Sequence, residues 1–308
     1  MPATPETHKH AREQLTGYLA AGATLLIWTG FVLVSRLGGK SALTPYDILA
    51  LRLITASLVL LPFAGSLPDG AWRDLRLWSL ALIGGLLFGL LAYGGFKFAP
   101  AAHGGILLSG LQPFFITAVV WWLAGTRPTR LRRLGLAAIA IGVVCAAMPY
   151  FTHWSSGSLF GDALLILSSV AWAFYSVLAK RWGFSAWTLT RAVALGTAVL
   201  YLPIYALWLP KQLAVTPLSM LLMQGVFQGI GATILAMLFF LKAVANLGPE
   251  RTAALLALVP VAAGVLAVPL LHEPLTGWLM SGLVFVSLGA FIASRPGPTL
   301  IRSATCPT

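Results

Sequence analysis

Stretches of about twenty predominantly apolar residues follow one another along almost the whole chain, and they limit what it can fold into. Ten can be read, at 17–37, 45–65, 77–97, 102–123, 132–150, 161–180, 186–209, 219–241, 251–271 and 276–294. A helix rises about 1.5 Å per residue, so each is long enough to cross roughly 30 Å of hydrocarbon. The segments between them carry turn chemistry, as in "GGKSALTP", "SLPDGAWRD", "GTRPTR", "LPKQLAVTP" and "NLGPE". With 58% hydrophobic and 9% charged residues and a mean hydropathy of +0.88, the composition lies outside the range of soluble domains. The expectation is an all-α integral membrane protein with ten transmembrane helices and no room for a separate soluble domain. The first run is too long and too aromatic, at Trp28 and Phe31, for a cleaved signal peptide, and no A-x-A site follows it. It is read as a retained span.

A net charge of +12 invites a nucleic-acid reading, but basic residues also collect in cytoplasmic loops of membrane proteins. With the N-terminus inside and ten spans, fourteen of the 20 Lys and Arg fall on the cytoplasmic side and four on the other, Arg36, Lys40, Lys97 and Lys211. Arg52 and Arg191 fall within spans. The charge is therefore an orientation signal: a bacterial-type inner membrane, both termini cytoplasmic, a lipid bilayer as the surrounding partner and no nucleic acid. Cys145 lies in a span and Cys306 in the tail, too far apart in sequence to suggest a disulfide framework or a metal cage.

The chain also resembles itself. At an offset of 147, Pro113 falls on Pro260, Gly135 on Gly282 and Gly142 on Gly289. At an offset of 144, "GYLAAGATLLIWTGFVLVSR" lies over "GDALLILSSVAWAFYSVLAK", pairing Trp28 with Trp172 and Arg36 with Lys180. More loosely, Arg52 matches Arg191, and Gly85/Gly89 match Gly225/Gly229. Five spans per half is an odd number, so the halves enter the membrane in opposite senses, as an inverted repeat about an axis in the membrane plane. The expected division is a tail at 1–16, a five-helix repeat at 17–150, a linker at 151–160, a second repeat at 161–294 and a tail at 295–308.

Trp in the first helix, Arg in the second, Pro in the fourth, a turn with Glu and a Gly-rich fifth helix, all repeated, resemble the EamA branch of the drug/metabolite transporter superfamily. The residues that carry the likeness are Trp28, Arg52, Pro113, Gly135 and Gly142 in the first half and Trp172, Pro260, Glu273, Gly282 and Gly289 in the second. The family usually has Glu in both turns; here the first is Thr126. The resemblance implies a secondary transporter of small organic metabolites, an exporter of amino acids or related compounds, working without a cofactor. It also implies a central cavity lined by Trp28, Tyr93, Gln112, Trp172, Tyr175 and Gln228, which stand apart from the interfacial belts that usually hold aromatic anchors. Buried packing is the competing reading for each of them.

Charges inside spans are expensive unless paired. Arg52 is read either as a substrate-anion or gating contact or as a structural charge held by Asp47 or by backbone carbonyls; Arg191, nearer a span end, is read as snorkelling. Glu273, in "HEPLT", is read as a helix cap, because a carboxylate at a helix N-terminus meets exposed N–H groups and its repeat counterpart Thr126 does not titrate.

Other patterns fail on particular positions. "GGKS" at 38–41 lacks the Gly a phosphate-binding loop needs at 34, where Val34 stands. "HEPLT" has Thr276 where a zinc-protease motif needs His. Asp47 and Asp162 suggest an intramembrane aspartyl protease only weakly, since Leu159 replaces the Gly that motif expects. An intramembrane enzyme, a channel and a non-transporting scaffold are the competing classes. Proton coupling through His103 and assembly into a homo-oligomer stay open.

Overall fold

In hydrocarbon a backbone polar group finds no solvent partner, so the chain closes its hydrogen bonds within helices. The computed structural model describes residues 5–39, 41–98, 105–151, 156–271 and 277–294, and among them every regular element is helical. In chain order these are α1 (Pro5–Gly39), α2 (Pro45–Leu60), α3 (75–98), α4 (105–124), α5 (Arg130–Phe151), α6 (Ser156–Trp182), α7 (Ala186–Trp208), α8 (218–247), α9 (249–271) and α10 (Gly277–Ser294). Six stretches of the described residues are both long and apolar enough to cross a bilayer: Ala11–Ser35, Pro45–Ser66, Leu75–Gly95, Leu159–Trp182, Ala186–Trp208 and Leu218–Leu247.

Local chemistry sets several of the ends. Thr44 and Asp47 form a reciprocal capping box ahead of α2, with Pro45 in the first turn, where its missing N–H costs nothing. Asp74 accepts from the Arg76 N–H at the start of α3, and Ser185 from the Thr188 N–H at the start of α7. Gly248, at φ 87°, turns the chain out of α8 and into α9. Helix α1 starts at Pro5, twelve residues before its apolar run, because a helix need not end where the hydrocarbon does.

Four runs that read as single helices are interrupted. In α3 and α8 the ladder widens to π turns over Ala81–Leu87 and Gly225–Leu235, both glycine-containing segments. In α4 a π segment, Gly105–Gly110, gives way at Leu111 to Gln112–Ala124, and in α9 the helix breaks at residues 257–258 and restarts with Val259–Leu271. Both restarts carry a proline in the first turn, Pro113 and Pro260, whose ring excludes the preceding helical carbonyl.

The surface is the reverse of a soluble protein's. Leu58, Trp122 and Leu207 are about 70% exposed (69%, 74% and 68%), while Thr24, Ser168, Ser176, Gln224 and Gln228 are fully buried. The exposed apolar side chains are what acyl chains solvate. The Glu273 turn and His272 lie outside the described residues, as do His103 and Cys306; Cys145 is half-buried and unpaired.

Helices pack as α1 with α8, α3 with α6, α2 with α8, α3 with α7, α2 with α7, and most extensively α5 with α10. Glycines permit the last contact. A Cβ on Gly142 would lie 2.9 Å from the Gly282 carbonyl oxygen and 2.7 Å from the Val286 nitrogen; one on Gly289 would lie 2.7 Å from both the Gly135 oxygen and the Ile139 nitrogen. These are backbone atoms, which cannot rotate away. The register is antiparallel and reciprocal: Gly135 meets Gly289, and Gly142 meets Gly282.

We predict that Gly142→Ala or Gly289→Ala destabilises the purified protein by about 1–3 kcal/mol, the usual cost of overpacking a tight contact. Gly22→Ala, where a Cβ meets nothing within 4 Å, should be neutral or mildly stabilising. Thermal unfolding of the three variants in one detergent checks this; equal melting temperatures would show that the helices separate freely.

Candidate functional site

A cavity of about 30 Å³ lies where α2, α3, α7 and α8 meet, lined by Leu49, Arg52 and Leu53, by Gly85, Phe88 and Gly89, by Thr190, Val193, Ala194 and Thr197, and by Thr233 and Met237. The residues from α3 and α8 sit near the middle of their helices, and those from α7 in its first half, so the space is at mid-depth of the bundle. Of the four interrupted helices, α3 and α8 contribute through their π turns, with Gly85 and Thr233. Close packing shapes the walls. A Cβ on Gly84 would enter the Tyr175 ring, and one on Gly85 would collide with the Thr197 hydroxyl, so α3 lies tight against α6 and α7.

Arg52 is the charged group of this lining. Its Nε donates to Thr233 Oγ1 (2.5 Å), which in turn donates to the Gln228 carbonyl (2.7 Å). Thr233 sits five residues after Gln228, the spacing at which a widened turn exposes a carbonyl. Asp47 is not the partner of Arg52. Its carboxylate is fully buried and accepts from Thr44 N (2.8 Å), Thr44 Oγ1 (2.7 Å), Tyr205 OH (2.6 Å) and Gln212 N (3.1 Å). It ties the start of α2 to α7 and to the loop that follows.

The repeat counterpart of Arg52 behaves differently. Arg191 is 3% exposed; it donates to the Phe63 carbonyl (2.8 Å), to Ser66 Oγ (2.5 Å) and to the Trp187 carbonyl (3.3 Å), and its guanidinium stacks 5.0 Å from the Trp187 ring. Snorkelling to an aqueous face is therefore replaced by capture within the protein, by the turn after α2. Arg132, an expected surface charge, is buried as well. It bonds Thr117 Oγ1, the Ala293 carbonyl and the Glu250 carbonyl, and pairs with the Glu250 carboxylate at 3.4 Å, linking α4, α5, α9 and α10.

The expected lining residues surround this cavity more than they face it. Trp28, Trp172, Tyr175, Phe88 and Phe240 form one aromatic cluster: Trp172 is 4.7 Å from Phe88, 5.5 Å from Trp28, 5.1 Å from Tyr175 and 5.2 Å from Phe240 between centroids. Phe88 joins the cluster to the cavity, as does Met237, whose sulfur accepts from Tyr175 OH at 3.4 Å. Tyr93 packs with Leu49 and Leu53, both lining residues. Gln228 reaches the site through its backbone carbonyl, while its side chain donates to Ser35 and to Gln224. Gln112 is buried on α4, outside the lining. Three polar atoms of these side chains are buried without a hydrogen-bond partner among the described residues: Trp172 Nε1, Tyr93 OH and Gln228 Oε1. The lining threonines 190, 197 and 233 carried no signal in the sequence, since a threonine in an apolar helix reads as one more β-branched residue.

The model of the EamA-like transporter family matches residues 15–148 and again 159–295. The chain belongs to the EamA-like transporter family. It is an integral membrane protein, and its named relatives are transporters. An uncharacterized inner membrane transporter of Escherichia coli K12, YedA, is 28% identical over 91% of this chain and 94% of its own length. An uncharacterized transporter of Archaeoglobus fulgidus is also 28% identical, over 59% of this chain and 65% of its own length, so the match spans about two thirds of that relative. A solved crystal structure superposes with a TM-score of 0.72 over 92% of this chain and 97% of its own at 22% identity, which shows a shared fold.

Because Asp47 organises structure and lies outside the cavity lining, Asp47→Asn should lower stability by about 1–3 kcal/mol, the range for losing a cap together with a charged hydrogen bond. Activity per folded molecule should persist. Melting temperature and activity measured on one preparation check this; loss of activity at unchanged stability would place Asp47 in the site.

Proposed function

We propose that the protein is a secondary transporter of small organic metabolites, an exporter of amino acids or related compounds, that moves its substrate by alternating access between two inverted five-helix halves. The observation that carries this reading is a mid-depth cavity walled by helices from both halves of the chain, α2 and α3 from one, α7 and α8 from the other, with a charged side chain in its lining. A midplane site between repeats, beside interrupted helices, is the arrangement such carriers use.

The ten-span, two-repeat organisation is supported by the packing. Exchanging α1 with α6, α2 with α7, α3 with α8, α4 with α9 and α5 with α10 turns the α1–α8 contact into α6–α3, and the α2–α8 contact into α7–α3. The α2–α7 and α5–α10 contacts map onto themselves, as does the Gly135/Gly289 and Gly142/Gly282 register. The π turns of α3 and α8 and the breaks of α4 and α9 fall at corresponding positions. The family and its named relatives, all transporters, weigh against an enzyme or a scaffold.

The direct test is uptake and efflux in proteoliposomes against amino acids, nucleosides and amines, with empty liposomes as the baseline. The aromatic cluster supplies a sharper one. Trp172→Phe keeps the ring packing and removes an Nε1–H that no group among the described residues accepts, so stability should hold. If that donor serves the substrate when the cavity opens, transport should fall by roughly tenfold, the worth of one hydrogen bond. Unchanged transport would leave Trp172 as packing alone.

Orientation has its own test. With both termini cytoplasmic, as the basic residues require, a phosphatase fused after residue 308 should be inactive and a cytoplasmic reporter there active. Periplasmic phosphatase activity from that fusion would remove the ten-span orientation.

A further inference from the structure

The three buried or lining arginines already described differ in one respect. Arg132 and Arg191 spend their guanidinium groups on protein acceptors, three hydrogen bonds each. Arg52 spends one N–H, the Nε–H to Thr233, and the four N–H donors on its terminal nitrogens have no partner among the described residues. A charged group with four unmet donors, partly withdrawn from water at mid-depth, is costly to the fold. Burying both counterparts fully while leaving this one open is hard to reconcile with a structural role.

We infer that Arg52 is a carboxylate-binding group and that the substrate is a small organic compound with a single carboxylate. A guanidinium presents paired N–H donors at the spacing of a carboxylate's two oxygens. Thr190 and Thr197 line the same space, and their hydroxyls at present donate to the Ala186 carbonyl and to the Ala81 carbonyl in the π turn of α3. The remaining lining is Leu49, Leu53, Phe88, Val193, Ala194 and Met237, an apolar wall for the substrate's body. No Asp or Glu belongs to the lining, so an amine without an acid group has no counter-charge here. One fixed positive charge also balances only one negative charge. A phosphate monoester would carry a second into an apolar space, which favours a carboxylate over a phosphate. At about 30 Å³ the cavity holds a headgroup and not a whole metabolite, so the rest of the substrate enters as the helices separate. Thr233 is a positioning residue: it holds Arg52 Nε and leaves the terminal nitrogens without a partner among the described residues.

This inference rests on the transporter reading only for its substrate, so binding and transport are measured separately. The probes are a set of carboxylates, aliphatic, aromatic and α-amino, each with its primary amide and the corresponding amine, together with phosphate monoesters. Ligand-induced thermal stabilisation of the detergent-purified protein reads binding, and proteoliposome flux reads transport. The expected result is that active compounds carry a carboxylate, that their amides are at least tenfold weaker, and that Arg52→Gln removes the difference between acid and amide. Arg52→Lys, which keeps the charge without the paired donors, should retain part of it, and Thr233→Val should weaken acids by a smaller factor than Arg52→Gln. Carboxylate binding that depends on Arg52 without flux would keep the site and overturn the transporter reading. Flux of amines, amides or phosphate esters unaffected by Arg52→Gln would keep the transporter and overturn the site. Absence of both binding and flux across the set overturns the site as well. A collapsed melting temperature in both Arg52 variants without any ligand preference in the parent protein would return Arg52 to a structural role and overturn the assignment.

Discussion

Within the hydrocarbon region a polar group must find its partner inside the protein, because the surrounding acyl chains offer none. That constraint explains why the chain is helical throughout its described residues, and why Gln224 reaches the Val34 carbonyl and Ser168 the Phe88 carbonyl across helix boundaries. It also gives meaning to exceptions. In water an unmet polar atom is ordinary; inside a bundle it is conspicuous, and among the described residues such atoms are Thr29 Oγ1, Ser57 Oγ, Tyr93 OH, Trp172 Nε1 and Gln228 Oε1, besides the open donors of Arg52 at the cavity. A transport site has to be unsatisfied in its protein contacts, since the substrate supplies the missing ones.

The likeness of the halves makes their differences informative. Arg52 and Arg191 occupy related places, yet the turn after α2 offers Arg191 the Phe63 carbonyl and Ser66, while Arg52 faces a cavity. The same holds for the π turns. Both widen the ladder, but the one in α8 frees the Gln228 carbonyl to accept from Thr233 and thereby holds Arg52, whereas the one in α3 takes its hydroxyl from Thr197 on α7. A repeated scaffold thus carries a cavity whose lining is not itself symmetric.

What the sequence disclosed follows from what kind of signal each feature leaves. Long apolar runs and the offset likeness of the halves are summed over many residues, so membrane class and family were legible; Gly135, Gly142, Gly282 and Gly289 stand out as repeat matches, but not as partners of one another. The fates of single polar residues were not. Arg132 reads as a cytoplasmic charge because its partners, Glu250 and Ala293, lie 118 and 161 residues away. Asp47 reads as a neighbour of Arg52 five positions on, yet a helix places residues five apart on different faces, and its acceptors are taken by Tyr205 and Gln212 instead. The aromatic residues picked out by their depth do cluster, with Trp28 against Trp172, but the cavity itself is cut by small and β-branched residues that a sequence does not set apart.

The smallness of the cavity connects fold to mechanism. A space of about 30 Å³ suits a conformation in which the halves have closed on one another, with Gly85 against Thr197 and Gly229 against Thr55 at contacts that no side chain could enter. Such glycine faces carry few directional bonds, so separating them exchanges protein dispersion contacts for lipid ones at little cost. Directional bonds also join the halves: Arg52 with Thr233 and Thr197 with the Ala81 carbonyl beside the cavity, Arg132 with Glu250 and Asp47 with Tyr205 farther off. Under the proposed mechanism such bonds are what parting of the halves has to exchange, while the glycine contacts between them part at little cost.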